Sequence, residues 1–358
     1  MKTTDSKELI TAVNELEKER GIKKDYLLES LESALVMAYK KNFDAAENVK
    51  VTIDKETGET HVYAVKEVVK KVEDQKLQIQ LKEAKTINKK LEVGDTVEIE
   101  IIPKNFGRIA AGTAKQIMIQ KIREAERDIL YTEFNERKGE IVTGMIQKNE
   151  GNAVVLDLGK LEGIMPLKEQ IPTEKYHVND KIKGYVVDVQ RGLKGNPQVI
   201  VSRSHPDFVR KLFEFEIPEI YEGLIEIKSV SRDPGYRSKV AVYSTNENID
   251  PVGSCVGQKG IRIQNIIHEL NGEKIDVIPY EKDDAKFIEN ALSPAKNVHV
   301  LITDEKKKEA LVVVNNDNLS LAIGKKGLNV RLAAKLTHYK IDVKTIEQAR
   351  EDGINIVE

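Results

Sequence analysis

Along the first forty positions, apolar residues recur at the spacing of a helix face. Leu9, Val13 and Leu16 follow the run Asp5-Ser6-Lys7-Glu8, whose residue types suit a helix cap. Leu27, Leu31, Ala34, Leu35 and Ala38 line one side of a second predicted helix, Tyr26 to Lys41. The period then drops to two, the signature of strands. Val49, Val51 and Ile53 alternate, Glu56-Thr57-Gly58-Glu59 reads as a turn, and Val62 to Val69 returns. Val97, Ile99 and Ile101 alternate again after Gly94-Asp95, which makes the opening of the chain a compact α+β unit. From Ile109 to about Arg137 the helical period comes back, with Ala114, Met118, Ile122, Ala125 and Ile129 on one side among Lys, Arg and Glu. Such a helix serves equally as a strut between domains or as a core helix of the first one.

Gly139 to Arg203 reads as strand throughout. About five short apolar runs punctuated by glycine, such as Val154-Val155-Leu156 and Val199-Ile200-Val201, suit a small OB-type barrel. Beyond it the order helix, strand, strand, helix, loop, helix, strand occurs twice. The first round places a helix at Phe208–Phe215 and strands at Leu224–Val230, Lys239–Tyr243 and Ile275–Ile278. The second places a helix near Phe287–Leu292 and strands at Val298–Thr303, Ala310–Val314 and Ile341–Val343. The residues beyond Thr345 read as a short charged tail.

The two rounds carry matching loops, Gly257-Gln258-Lys259-Gly260 and Gly324-Lys325-Lys326-Gly327, and end in the same words, Lys-Ile-Asp-Val at Lys274–Val277 and at Lys340–Val343. A lone Gly-x-x-Gly is a cheap pattern, but a duplicated one with matching surroundings marks a repeated structural unit. Between two helices it is the loop with which a KH module clamps a single-stranded nucleic-acid backbone. Glycine lets the main chain approach sugar and phosphate, and the amides that open the next helix face the anion. Lys259, Lys325 and Lys326 supply positive charge, and Arg262 and Arg331 come within the next turns. Ile261, Ile263, Ile266, Leu328, Val330 and Leu332 are candidates for the floor of a base-binding groove.

Composition narrows the reading. The 358 residues suffice for roughly two to four domains, and 40% hydrophobic with 32% charged residues is ordinary for a soluble protein. No stretch is apolar enough to span a bilayer, and Met1-Lys2-Thr3-Thr4-Asp5 begins no signal peptide, so cytoplasmic residence is expected. A net charge of −2 excludes a globally basic nucleic-acid coat, so basicity must be local. With no Trp and 5% aromatic residues, base stacking cannot carry much RNA affinity, which leaves more to backbone clamping. The single cysteine, Cys255, excludes an internal disulfide and a cysteine-cluster metal site.

Catalytic patterns do not assemble. Gly253–Gly260 lacks P-loop spacing, and His268-Glu269 lacks the second histidine of a zincin helix. Ser202, Ser204 and His205 are neighbours in sequence, which is not a triad; with Pro206 behind them they suit a helix entry. Asp283-Asp284 reads as surface charge. Neither an enzyme nor a cofactor is expected.

Longer strings carry a resemblance. Ser202-Arg203-Ser204-His205-Pro206, Ile217-Pro218-Glu219-Ile220, Arg232-Asp233-Pro234-Gly235-Tyr236-Arg237-Ser238-Lys239, Asp250-Pro251-Val252-Gly253-Ser254-Cys255-Val256-Gly257 and Arg123-Glu124-Ala125-Glu126-Arg127 are similar to the NusA family of bacterial transcription factors. The likeness covers essentially the whole chain. It implies a multidomain α+β protein: an N-terminal RNA-polymerase-binding domain with its connecting helix at 1–137, an S1 (OB-fold) barrel at 138–203, tandem type II KH domains at 204–280 and 281–346, and a tail at 347–358. It further implies an elongation factor, monomeric, that modulates pausing, intrinsic termination and antitermination. Its partners would be RNA polymerase near the RNA exit channel, nascent single-stranded RNA and other antitermination factors. By motif, Lys40, Lys41 and Arg108 fall in the polymerase-binding domain, and the two Gly-x-x-Gly loops hold RNA. Departures are Gly112, where the family more often has glutamine, the stretch Asn149-Glu150-Gly151-Asn152 in place of an aromatic-rich strand, and Leu328 and His338-Tyr339 in the second repeat. A form without the acidic C-terminal repeats of some members is expected. The competing reading is a translational or ribosome-assembly RNA-binding protein, which would not need the N-terminal domain.

Overall fold

The computed structural model describes residues 3–43, 48–101, 106–192 and 195–353, which fall into two units, Met1–Ile129 and Leu130–Glu358. In the first, α1 (Thr3–Arg20) and α2 (Lys24–Phe43) accompany a four-stranded sheet of β1 (Val49–Ile53), β2 (Thr60–Val69), β3 (Gln78–Gln80) and β4 (Thr96–Glu100), with α3 (Leu81–Ile87) between the last two. The predicted apolar stripes are real: Leu9, Val13, Leu27, Leu31 and Leu35 are buried in one core with Val51, Ile53 and Val62. The predicted cap is not at Asp5–Glu8, because α1 already runs from Thr3 and Ser6 lies buried inside it, its hydroxyl without a partner among the described residues. β3 and α3 fall outside the predicted elements; three and seven residues are too short to display a period. α4 (Phe106–Glu136) passes unbroken through Gly112. Its Ala110, Ala114 and Met118 belong to the first core, while Phe134 near its end belongs to the core of the next domain.

The second unit opens with a closed five-stranded barrel, in the order β5 (Ile141–Asn149), β6 (Ala153–Asp157), β7 (Glu162–Pro166), β9 (Pro197–Ser202), β8 (Lys181–Arg191). Alternate residues Val142, Ile146, Val154, Leu156, Val199 and Val201 fill it, as the period-two pattern demands. α5 (Pro206–Glu216) starts with His205 as its cap, Nδ1 accepting from the Asp207 amide at 3.2 Å, so the Ser202–His205 cluster does serve as a helix entry.

Two repeats follow. The first comprises α6 (Pro218–Tyr221), β10 (Glu226–Asp233), β11 (Arg237–Tyr243), α7 (Pro251–Val256), α8 (Ile261–Glu269) and β12 (Lys274–Pro279). The second comprises α9 (Asp284–Ala291), β13 (His299–Asp304), β14 (Glu309–Val314), α10 (Asn316–Ile323), α11 (Leu328–Thr337) and β15 (Lys340–Thr345). In each, an antiparallel hairpin is extended by a parallel third strand, β12 on β11 and β15 on β14. Asp283 caps α9, and Asp284 accepts from the Tyr339 hydroxyl and from Lys308, so this pair is not idle surface charge. His338 ends α11 in the left-handed region, and Tyr339 is buried in the core. The region after Thr345 is more than a charged tail. Thr345 and Gln348 form a capping box for α12 (Ile346–Glu351), whose Ala349 is buried against Leu311 and Val313. Residues 354–358 lie outside the described ones.

Buried ion pairs lock barrel and repeats together. Arg203, at the end of β9, donates to Glu174 (2.6 Å), to the Lys183 carbonyl (2.7 Å) and to Glu269 of α8 (3.1 Å). Arg232 and Glu273, both fully enclosed, pair at 2.9 Å, and Glu273 also accepts from Ser238 and from the Gly235 amide. Lys239 joins Asp276 (2.9 Å) to the Ser293 carbonyl between α9 and β13 of the second repeat (2.8 Å).

Candidate nucleic-acid interface

Both Gly-x-x-Gly loops are built the same way. α7 is started by Asp250, whose Oδ1 accepts from the Val252 amide at 3.0 Å, with Pro251 in its first turn. It stops at Gly257, whose amide donates to the Gly253 carbonyl at 2.9 Å; Gly260 then donates to the Gly257 carbonyl at 3.1 Å. In the second loop Gly324 donates to Ser320 (2.9 Å) and Gly327 to Gly324 (3.1 Å). The backbones agree closely. Gly257 and Gly324 share φ/ψ near 74°/173°, Lys259 and Lys326 share φ of 53° and 54°, and α8 and α11 begin at the next turn.

The first glycine of each loop is required by packing as well as by conformation. A Cβ on Gly257 would stand 2.8 Å from Arg262 Cγ, and one on Gly324 would stand 2.7 Å from Asn329 Cβ. The second glycines meet open space instead, with nothing nearer than 4.0 Å, so close approach of an outside backbone is possible there. Lys259, Lys325 and Lys326 are exposed, and none has an ion-pair partner among the described residues. Gln258, just before Lys259 in the first loop, is exposed too. Gly257, Gln258 and Ile261 (60% exposed) line an open groove with Asp250, Gly253, Ser254 and Arg262.

The two arginines occupy different places. Arg262 lies behind its loop, donating to Glu219 (2.8 Å) and to the Ser254 carbonyl (2.8 Å). It braces Gly257. Its counterpart by position is Asn329, not Arg331. Buried Asn329 reaches the Leu292, Leu321 and Ala322 carbonyls through Nδ2 at 2.9–3.1 Å. Arg331 lies further along α11 and donates to Asp233 of the first repeat at 3.1 Å. Of the apolar candidates, Ile263, Ile266 and Leu332 are core residues, Leu328 and Val330 are half-buried, and Ile261 alone opens onto the groove. Cys255 beneath the first loop is buried, which pushes its thiol up to about 12 and makes it a packing residue.

In the first unit, Lys40 (half-buried) and Lys41 (exposed) close α2, and exposed Arg108 lies in the first turn of α4. The aromatic cluster of Tyr39, Phe43 and Phe106, with ring centroids 4.9–6.4 Å apart, ties these helix ends together, so the three cations share one end of the unit.

Residues 8–128 match the family described as the NusA N-terminal domain, residues 203–280 the NusA-like first KH domain, and residues 284–351 the NusA-like second KH domain. A Halalkalibacterium halodurans protein named transcription termination/antitermination protein NusA is 50% identical over 347 residues, covering 97% of this chain and 90% of that protein. A Bacillus subtilis protein of the same name is 50% identical over 349 residues, covering 98% and 94%. The solution structure of the N-terminal domain of NusA from B. subtilis is 53% identical over 34% of this chain and 98% of that one, with a TM-score of 0.32.

Proposed function

The chain belongs to the NusA family, and on that premise we propose that it is a transcription elongation factor acting in termination and antitermination. RNA polymerase is held by the N-terminal unit, through the end that carries Lys40, Lys41 and Arg108. Nascent single-stranded RNA is held by the second unit. The observation that carries the RNA assignment is the pair of loops with matching backbones, Gly257–Gly260 and Gly324–Gly327, each with exposed lysine and an open second glycine before a helix start. The domain division is 1–137, 138–203, 204–280 and 281–346, with α12 completing the last domain. The protein works as a cytoplasmic monomer alongside other antitermination factors; no helix among the described residues is long and apolar enough to cross a membrane. Two modest sites on one chain reinforce each other, because binding at one raises the effective concentration at the other.

Full-length protein separates the two roles. Charge reversal at Lys40, Lys41 and Arg108 should abolish capture of RNA polymerase and leave binding of a short single-stranded RNA unchanged. Neutralising Lys259, Lys325 and Lys326 should do the reverse. If polymerase capture survives the first set and fails with the second, the assignment of surfaces is wrong.

A further inference from the structure

The turn between β10 and β11, Asp233-Pro234-Gly235-Tyr236, is where the three modules of the second unit meet. On one side it presses against the barrel: a Cβ on Gly235 would stand 2.3 Å from Thr173 Oγ1 and 2.8 Å from Ile171 Cγ2. On the other, Asp233 accepts from Arg331 of the second repeat. From beneath, enclosed Glu273 accepts from the Gly235 amide and pairs with Arg232. The Gly235 amide and the Asp233 side chain are thus held, yet the Tyr236 side chain that the turn carries is 56% exposed and belongs to no core cluster. An aromatic ring carried on a held turn, more than half exposed and outside the core clusters, is suited to stack on something from outside.

Its place relative to the two loops is informative. α8 leaves the first loop, runs nine residues, about 13 Å, and arrives through Leu270–Glu273 at Lys274, whose amide donates to the Tyr236 carbonyl at 3.2 Å. Arg331 stands one turn beyond the start of α11, just past the second loop. The first loop thus leads along α8 to Tyr236, and the second leads along α11 to Arg331, which meets Asp233 of the same turn. Arg331 gives Asp233 one of its five N–H donors and keeps a half-exposed guanidinium.

We propose that Tyr236 and Arg331 form a nucleotide subsite joining the two loops: an unpaired base stacks on the Tyr236 ring while Arg331, aimed by Asp233, takes the adjoining phosphate. The subsite rests on the reading of the loops as RNA clamps. Stacking of this kind is tolerant of base identity and needs only a π-face, so the subsite holds the strand in register without demanding a sequence.

The test is an equilibrium titration of the full-length protein with a fluorescently labelled 12-nucleotide RNA free of self-complementarity, and with copies of it carrying one abasic position in turn. Wild type should show one central position at which an abasic site weakens binding. Tyr236→Ala should weaken the intact RNA roughly 5- to 150-fold, the range of one base–aromatic stack. It should also leave that abasic copy no weaker than the intact RNA, with Tyr236→Phe restoring the wild-type pattern. Affinity of Tyr236→Ala equal to wild type, or losses from the variant and the abasic site that simply add, would overturn the subsite while the loop clamps stand, provided loop variants still weaken binding. If wild type does not bind the RNA at all, the clamp reading falls and the subsite with it.

Discussion

Replacing the three loop lysines by neutral residues that keep the backbone tests the clamp most directly. Lys259 and Lys326 sit at φ near +53°, a region asparagine occupies with little strain, so Lys259→Asn and Lys326→Asn remove charge without disturbing the loop. Lys325→Gln removes the third charge. All three side chains are exposed and unpaired among the described residues, so no internal ion pair is lost. For a single strand each neutralised phosphate contributes about 0.7 to the dependence of log affinity on log salt, so three contacts contribute about 2. Raising salt from about 50 to about 200 mM should therefore cost wild type about 20-fold more affinity than the triple variant loses. Fluorescence anisotropy of a labelled single-stranded RNA at four salt concentrations measures both slopes. Equal slopes in a folded triple variant would show that these lysines do not meet phosphates, however much the absolute affinity changes.

Three further outcomes are set by the packing. Gly324→Ala should lower the melting temperature more than Gly327→Ala: Gly327 incurs only the left-handed penalty of about 1–2 kcal/mol, whereas Gly324, at φ 74° and ψ 172°, lies in a region essentially confined to glycine and also meets Asn329 Cβ at 2.7 Å; equal melting temperatures would refute this. Glu273→Gln, which leaves enclosed Arg232 without its counter-charge, should cost about 3–5 kcal/mol in denaturant unfolding of the full chain. For pH, burial pushes the Asp276 carboxyl up, but Arg237 and Lys239 more than offset it and hold it below the ordinary 3.8. Its ionised form therefore stabilises the fold above that value, and the contribution is lost as pH falls through the depressed one; acid unfolding of Asp276→Asn should begin at higher pH than that of wild type.

How much was legible in the sequence depends on how far apart the causes lie along the chain. The stripes of α2 and the barrel alternation declare themselves within a few residues, and so do the glycines of the two loops. The role of Arg262 does not, because its partner Glu219 is 43 positions away, and from sequence the arginine looks like one more cation beside a loop. Arg331 misleads in the same way: its partner Asp233 is 98 positions distant and in the other repeat. α12 escaped because its six residues, three of them charged, show only one fully buried side chain, Ala349, although Thr345 and Gln348 at capping-box spacing were a local signal that could have found it. The apolar floor was over-read for a related reason: Ile263 and Ile266 have the period of a helix face, and that face is turned into the core.

The two loops share a backbone but not a support. Behind the first, a half-buried arginine reaches Glu219 on α6, so the brace is an ion pair open to solvent and weakened by salt. Behind the second, a fully buried asparagine holds three carbonyls of its own repeat, and no charge is involved. Closely matching φ/ψ values at the first glycines of both loops show that the loop conformation is set by the glycines and the helix after them, whichever brace lies behind. The braces differ instead in what they connect. Arg262 ties its loop to α6, at the end of the segment that leaves the barrel, whereas Asn329 ties its loop to α9 and α10, and two residues later Arg331 ties the same helix to the first repeat. Displacing either loop therefore moves a different neighbour. A strand held by both would draw on the barrel side through one brace and on the junction between repeats through the other.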